Sequence, residues 1–331
     1  MKIMLVCMRY DYGDPSRGES YEYYNFYQSL ISLGHEVLLF DYMTILKEIG
    51  KAEMNQKLLD TAGSFSPDLA MFSLYTDQFE PASLEALRKL TKTLCFFHDD
   101  TWRVEYSKYW AAFFDNFTTP DIYGVERYRK QGIMHAVHFP FGANEILYDK
   151  REKEKIYDIS FVGGWHPYRA WLVKRLRKAG MNVVTAGHRW EKGIVPHSDM
   201  VDIFNQSKIN LNLSNSASWD LRYLATSPYG IVNRIRSKKN IEQLKARHFE
   251  INSTGAFQLS YYVEGLEKYY DIGSEIGIYI DSDDLIEKAK FYLKEDKKRE
   301  EMADAGYKRT QKEHVFSARF NRVFREIGLL G

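Results

Sequence analysis

Residues 161–169 read Phe-Val-Gly-Gly-Trp-His-Pro-Tyr-Arg: the end of an apolar strand, a glycine pair, and a helix start carrying an arginine. Glycines let the backbone approach a ligand closely, a helix N-terminus offers amide hydrogens, and Arg169 adds a fixed positive charge, which together suit a diphosphate. Gly163 and Gly164 would equally form a plain tight turn. The full G-x-G-x-x-G pattern is absent here and after the first strand, which argues against a nicotinamide-dependent oxidoreductase. A second cluster places Arg234, Arg236, Lys238, Lys239, Lys245 and Arg247 ahead of Glu250 and a small-residue turn, Asn252-Ser253-Thr254-Gly255. Lys245 and Arg247 can neutralise a departing diphosphate, and Glu250 can accept hydrogen bonds from a pair of ribose hydroxyls. The plain alternative is a solvated basic helix over 234–247 with an internal ion pair. His188 and Thr254 complete the donor-side candidates.

A third cluster, Phe96-Phe97-His98-Asp99-Asp100-Thr101-Trp102, puts ionisable groups directly after a buried strand. A carboxylate there can act as general base on an acceptor hydroxyl, with Asp100 favoured, then Asp99, then Glu19; helix capping by Asp100 or Thr101 is the rival reading. The loop Arg9–Glu19 also mixes charge, aromatic rings and glycine at a strand end, and Asp14, Arg17 and Gly18 are its substrate-side candidates. Asp281-Ser282-Asp283 has the D-x-D spacing of some metal-dependent transferases but precedes a helical pattern, so capping is expected. The histidines form no H-x-x-x-H pair, and Cys7 and Cys95 both lie in apolar runs; no metal site and no disulfide are expected.

The elements that must hold these loops alternate. Lys2–Cys7 reads as a strand, Ser20–Leu33 as a helix with Ser16 and Glu19 at capping-box spacing, and Val37–Phe40 as the next strand. Strands at 69–74 and 93–97 and intervening helices continue the series, predicting a parallel sheet covered by helices. A charge run within 144–155 suits a solvated linker. A second series follows: strands at 158–162, 182–186, 209–213, 256–260 and 276–280, with helices at 168–179, 240–249 and from 283 onward. The expected organisation is two doubly wound α/β domains, 1–145 and 156–312, with a last helix in 313–331 packing back onto the first. Loops at the carboxyl ends of two such sheets predict a central cleft that holds the chemistry.

Composition agrees with this class. The 331 residues suit two domains, and 44% hydrophobic with 27% charged residues excludes disordered, collagen-like and membrane-spanning chains. A net charge of +1 provides no global attraction for a polyanion, which weighs against a nucleic-acid-binding module built on the 234–247 run. The first apolar run is shorter than a signal peptide's, so a cytoplasmic location is expected. The 24 Tyr, 20 Phe and 6 Trp are read mainly as core.

Several runs, taken in order, resemble the CgeB-like (spore-maturation-type) branch of the GT-B glycosyltransferases: FVGG with Arg169, SKINLNLSNS (207–216), KARHFEINSTGAF (245–257), EIGIYIDSDDLIEKAKFYL (275–293) and AGYKRTQKEHVFSARF (305–320), with the first loop and HDDTW in the N-terminal half. The resemblance implies two Rossmann-like domains, a nucleotide-sugar donor held by the second, with a UDP-sugar favoured, and no metal or other cofactor. It implies Arg247 and Glu250 as diphosphate and ribose contacts, Gly255 as the opening of a turn, and Arg169 beside the diphosphate. The acceptor would be a glycan, lipid-linked or protein hydroxyl in cell-surface polysaccharide or glycoconjugate synthesis, a lipid-linked one bringing the protein against a membrane. Asn252-Ser253-Thr254 departs from the Pro-Gly-Cys or Ala-Cys common in relatives. Glu242 and Glu250 have E-x7-E spacing, which is read as coincidence. A binding protein without turnover, and a phosphorylase or epimerase on the same architecture, are the competing functions.

Overall fold

The computed structural model describes residues 1–214, 218–226, 228–236 and 242–331. The chain divides into two compact units, Met1–Pro140 with Phe316–Gly331, and Phe141–Val315.

The first unit is built on a parallel six-stranded sheet ordered β2-β1-β3-β4-β5-β6. Its strands are β1 (Lys2–Cys7), β2 (Glu36–Asp41), β3 (Leu69–Ser73), β4 (Lys92–Phe96), β5 (Asn116–Thr119) and β6 (Ala136–His138). β1, β3 and β4 are apolar and almost wholly buried, as strands covered on both faces must be. One face packs Phe72, Phe79, Phe114 and Phe117 beneath the helices Lys51–Phe65 and Val104–Ala111. On the other, Phe26 meets Phe96 edge-on at 4.8 Å and Phe316 at 5.4 Å, so the terminal helix Phe316–Glu326 closes this unit's core. The abundant aromatics are therefore largely structural, as their patterning predicts. β5 and β6 escape sequence reading because they are short, and β5 carries three polar residues in four.

The second unit has a parallel five-stranded sheet ordered β11-β10-β9-β7-β8. These strands are β7 (Tyr157–Val162), β8 (Val183–Ala186), β9 (Ser207–Asn212), β10 (Gln258–Tyr261) and β11 (Gly277–Tyr279). The charge run read as a solvated linker is instead fastened to this unit. Arg151 bonds Asp202 at 2.9 Å and the Ser198 carbonyl at 3.0 Å, and Lys155 donates to the Asn205 carbonyl at 2.6 Å.

Two local expectations change. Ser20, not Ser16, caps the first helix: its hydroxyl accepts from the Tyr23 amide at 3.1 Å and donates to the Met8 carbonyl at 2.6 Å, whereas Ser16 bonds Asp14. That helix then widens into a π-helical stretch, Tyr23–Tyr27, a feature frequent beside functional sites. The continuous basic helix expected over 234–247 is interrupted, since 242–245 are not helical and a new helix begins at Arg247; Lys238 and Lys239 lie outside the described residues.

Candidate functional site

In each sheet the strand order reverses direction beside one strand, and loops leaving the carboxyl ends there form the natural ligand crevice. In the second unit that point lies at β7, flanked by β8 and β9. Gly163 follows β7, its amide bonded to the Ala186 carbonyl at 3.0 Å. Gly187 holds φ +124°, and a Cβ on it would stand 2.2 Å from the Gly163 oxygen. The glycine pair of the sequence is thus joined by a third from the next strand end, and His188 lies exposed beside it.

Arg169, in the first turn of the helix Pro167–Lys178, ties this loop to the one after β9. It donates to the carbonyls of Gly164 (2.8 Å), Leu213 (3.0 Å) and Ser214 (3.2 Å). Burial, and then the nearby Arg247, lower the pKa of Arg169 from its ordinary value. The helix itself offers fewer amides than expected. Pro167 has none, His166 accepts the Tyr168 amide at 3.3 Å, and the Ala170 amide returns to His166. Of the groups here that could meet an anion, the charged side chains outnumber the open helix amides.

Arg247 opens the helix Arg247–Ser253 and pairs with Glu250 Oε2 at 2.8 Å, its guanidinium 5.2 Å from the Phe204 ring. Glu250, 4% exposed, also accepts the Tyr148 hydroxyl on Oε1 at 2.8 Å. His197 lies 4.8 Å from the Tyr148 ring and is held at a pKa of about 4 by burial and then by Arg247 and Arg151. Lys245 approaches the Phe141 ring at 6.0 Å. Glu242, whose E-x7-E spacing was read as coincidence, accepts the Ser214 hydroxyl and acts electrostatically on Arg169, so it belongs to this edge of the sheet.

Thr254 and Gly255 do not. They end the helix Arg247–Ser253 and precede β10, which puts them at the amino edge of the parallel sheet, away from Gly163 and Arg169. Thr254 is fully buried and donates to the Ile251 carbonyl at 2.7 Å. The Asp281 side chain accepts the amides of Asp283 (2.8 Å) and Asp284 (2.9 Å), the cap expected of it.

In the first unit the reversal lies between β1 and β3, where a cavity of about 210 Å³ opens. Glu22, Ser73, His98 and Asp99 line it. His98 Nε2 stands 2.7 Å from Glu22 Oε1 and 2.9 Å from Ser73 Oγ, and the Ser73 hydroxyl donates to the same Glu22 oxygen at 2.6 Å. Burial would raise the Glu22 pKa, but the His98 charge and the hydrogen bonds from His98 and Ser73 outweigh it and hold the carboxyl below its ordinary value. Glu22 Oε1 thus accepts from both the His98 Nε2–H and the Ser73 hydroxyl.

Asp100, favoured from sequence as the base, turns the other way. It is 1% exposed, accepts the Tyr128 hydroxyl at 3.3 Å, and is pushed up to about 7 by burial. Glu19 pairs with Arg9 at 3.7 Å and is not on the cavity wall. In the first loop, Asp14 accepts from Ser16, Arg17 pairs with Asp11 at 3.0 Å, and Gly18 turns the chain at φ +85°. Asp11, rather than these three, reaches the cavity. Glu22 and Ser73 were missed from sequence, although each carries a signal. Glu22 lies in the first turn of a helix entered from a strand-end loop, and Ser73 is the polar last residue of an otherwise apolar strand. Among the described residues, no three or more His, Cys, Asp or Glu side chains converge as a metal site, and no helix is long and apolar enough to cross a membrane.

Residues 169–325 match the model of a family described as glycosyl transferase-like. The chain is 27% identical over 194 residues to the spore protein CgeB of Bacillus subtilis (strain 168), a match covering 55% of this chain and 58% of that protein. In structure it is similar to sucrose-phosphate synthase from Thermosynechococcus elongatus (TM-score 0.65, 12% identity, 98% of each chain covered). It is also similar to Anabaena Alr3699/HepE in complex with UDP-glucose (TM-score 0.64, 11% identity, 100% of each chain covered). The fold is that of the GT-B class.

Proposed function

We propose that the protein transfers a hexosyl or pentosyl group from a UDP-sugar to an acceptor hydroxyl without a metal ion. The observation that carries this reading is the pair of arginines at the carboxyl edge of the second sheet. Arg169 spans the loops after β7 and β9, and Arg247 is close enough to act on it electrostatically. Two like charges held together favour an anion between them, and fixed cations stabilise the negative charge that grows on a leaving diphosphate without reorganising. Arg169 and Arg247 are assigned to the diphosphate, with Lys245 in support. Glu250 is assigned to the ribose; donor binding then exchanges its Tyr148 bond for a ribose hydroxyl. UDP is favoured because the similar Anabaena protein is in complex with UDP-glucose.

On the first unit, His98 supported by Glu22 is the acceptor base, in place of Asp100. The resemblance to CgeB-like proteins suits a glycan, lipid-linked or protein acceptor in cell-surface polysaccharide or glycoconjugate synthesis, in the cytoplasm. Calorimetric titration with UDP, GDP, CMP and dTDP tests the donor. Saturable binding of UDP that is lost in Arg169→Ala is expected. Preference for another base would overturn the UDP assignment, and the absence of nucleotide binding would overturn the donor site.

A further inference from the structure

A cavity of about 590 Å³ in the second unit lies away from the arginine pair. Its walls come from residues that precede strands: Lys150 and Lys155 run into β7, Lys208 opens β9, and Gly255 and Phe257 lead into β10, while Arg299 comes from the first turn of the helix Asp296–Glu313. In a parallel sheet this is the amino edge, the side opposite the donor loops. We propose that this cavity binds a second ligand, a small molecule bearing a phosphate monoester or diphosphate, through Lys150, Lys155 and Arg299.

The charges are arranged for an anion. Among the described residues neither Lys150 nor Lys155 makes an ion pair; Lys150 approaches the Tyr307 ring at 5.4 Å, and Lys155 spends one donor on the Asn205 carbonyl at 2.6 Å. Arg299 is 7% exposed, and its guanidinium is held by the Tyr292 carbonyl and Asp296. Partial desolvation of its ammonium, and then the charges of Arg299 and Lys150, lower the pKa of Lys155; Glu300 opposes them. Three cations lining one cavity lose part of their mutual repulsion when a dianion enters, and an ammonium keeps donors to spare for its oxygens. Of the other wall carboxylates, Asp304 is neutralised by Lys308 at 2.6 Å, and Glu152 and Glu154 are exposed. The floor is shaped for the same purpose. Gly255 sits at φ +66°, which favours glycine, and a Cβ there would come within 2.8 Å of Lys150 Cδ and displace the lysine stem that lies across it. The volume exceeds what inorganic phosphate alone would fill and falls in the range of small-molecule pockets.

Lys150 and Lys155 are exposed, so Lys150→Gln/Lys155→Gln removes charge without disturbing the core. Inorganic phosphate, pyrophosphate and glucose 1-phosphate are titrated calorimetrically into the full chain and into this variant, with UDP as a separate titrant. The expected result is saturable binding of at least one phosphate probe, weakened about tenfold or more in the variant, with UDP affinity unchanged. Phosphate-probe binding that is unchanged in the variant, or absent from the parent chain at millimolar concentration, would overturn the proposal. UDP binding reports on the donor site independently.

Discussion

Replacing Arg247 by alanine strands a buried carboxylate. Glu250 is 4% exposed, and Arg247 Nη1 stands 2.8 Å from its Oε2; without the arginine the Tyr148 hydroxyl, on Oε1, is the partner that remains among the described residues. Breaking a fully buried pair by removing one partner costs about 3–5 kcal/mol. The Arg247 side chain is 23% exposed, so water offsets part of this, and about 3 kcal/mol is expected. For a domain of this size that lowers Tm by roughly 6–12 °C. Removing a charge aimed at the leaving group should separately cost about 10²–10³ in kcat. The two effects divide in Arg247→Ala/Glu250→Gln. The amide keeps an acceptor oxygen for Tyr148 and abolishes the stranded charge, so the double variant should regain about 2 kcal/mol of the lost stability. Its turnover should remain at or below that of Arg247→Ala. Thermal unfolding and UDP-sugar turnover on the three proteins decide the matter. A double variant no more stable than the single one would refute the buried-charge reasoning, and recovery of turnover would remove Arg247 from the leaving-group site.

Further outcomes are expected elsewhere. Asp100 sits near 7 when folded and near 3.8 when unfolded, so its stabilising contribution is complete below about pH 4 and is lost as pH rises through 7. Asp100→Asn should therefore unfold at the parent temperature at acid pH and be more stable by about 2–4 kcal/mol at pH 8, with turnover retained; equal pH profiles would show the carboxyl to be ordinary. His98→Asn should lower kcat by about 10²–10³ while the protein stays folded, and full turnover would exclude His98 as base. Gly187→Ala must push a Cβ against the Gly163 oxygen at a positive φ, and a loss of about 3 kcal/mol is expected in denaturant titration. Gly164→Ala, which meets nothing within 4 Å, should be nearly neutral; the reverse order would contradict the packing described for this turn.

The alternation of apolar runs with amphipathic ones was enough to read two parallel α/β sheets from the sequence, because burial on both faces forces continuous apolar strands such as Leu69–Ser73. The same reading located Gly163 and Arg169 just beyond a strand end and put Arg247 and Glu250 on a helix, since glycine and arginine types mark where a backbone turns and an anion can be met. It could not orient side chains. Asp99 and Asp100 are adjacent and chemically identical, yet one lines a cavity while the other is 1% exposed against Tyr128. Nor could it bring together residues distant along the chain. Glu22, Ser73 and His98 meet only because β1, β3 and β4 lie side by side, and Tyr148 meets Glu250 only through the fold of the second unit. Thr254 and Gly255 were misplaced for the same reason. A helix of seven residues carries the chain from one edge of the sheet toward the other, so neighbours of Arg247 in sequence end up on the far side of the strands. Local sequence determines which residues turn, cap or bury; the strand order decides which of them share a site.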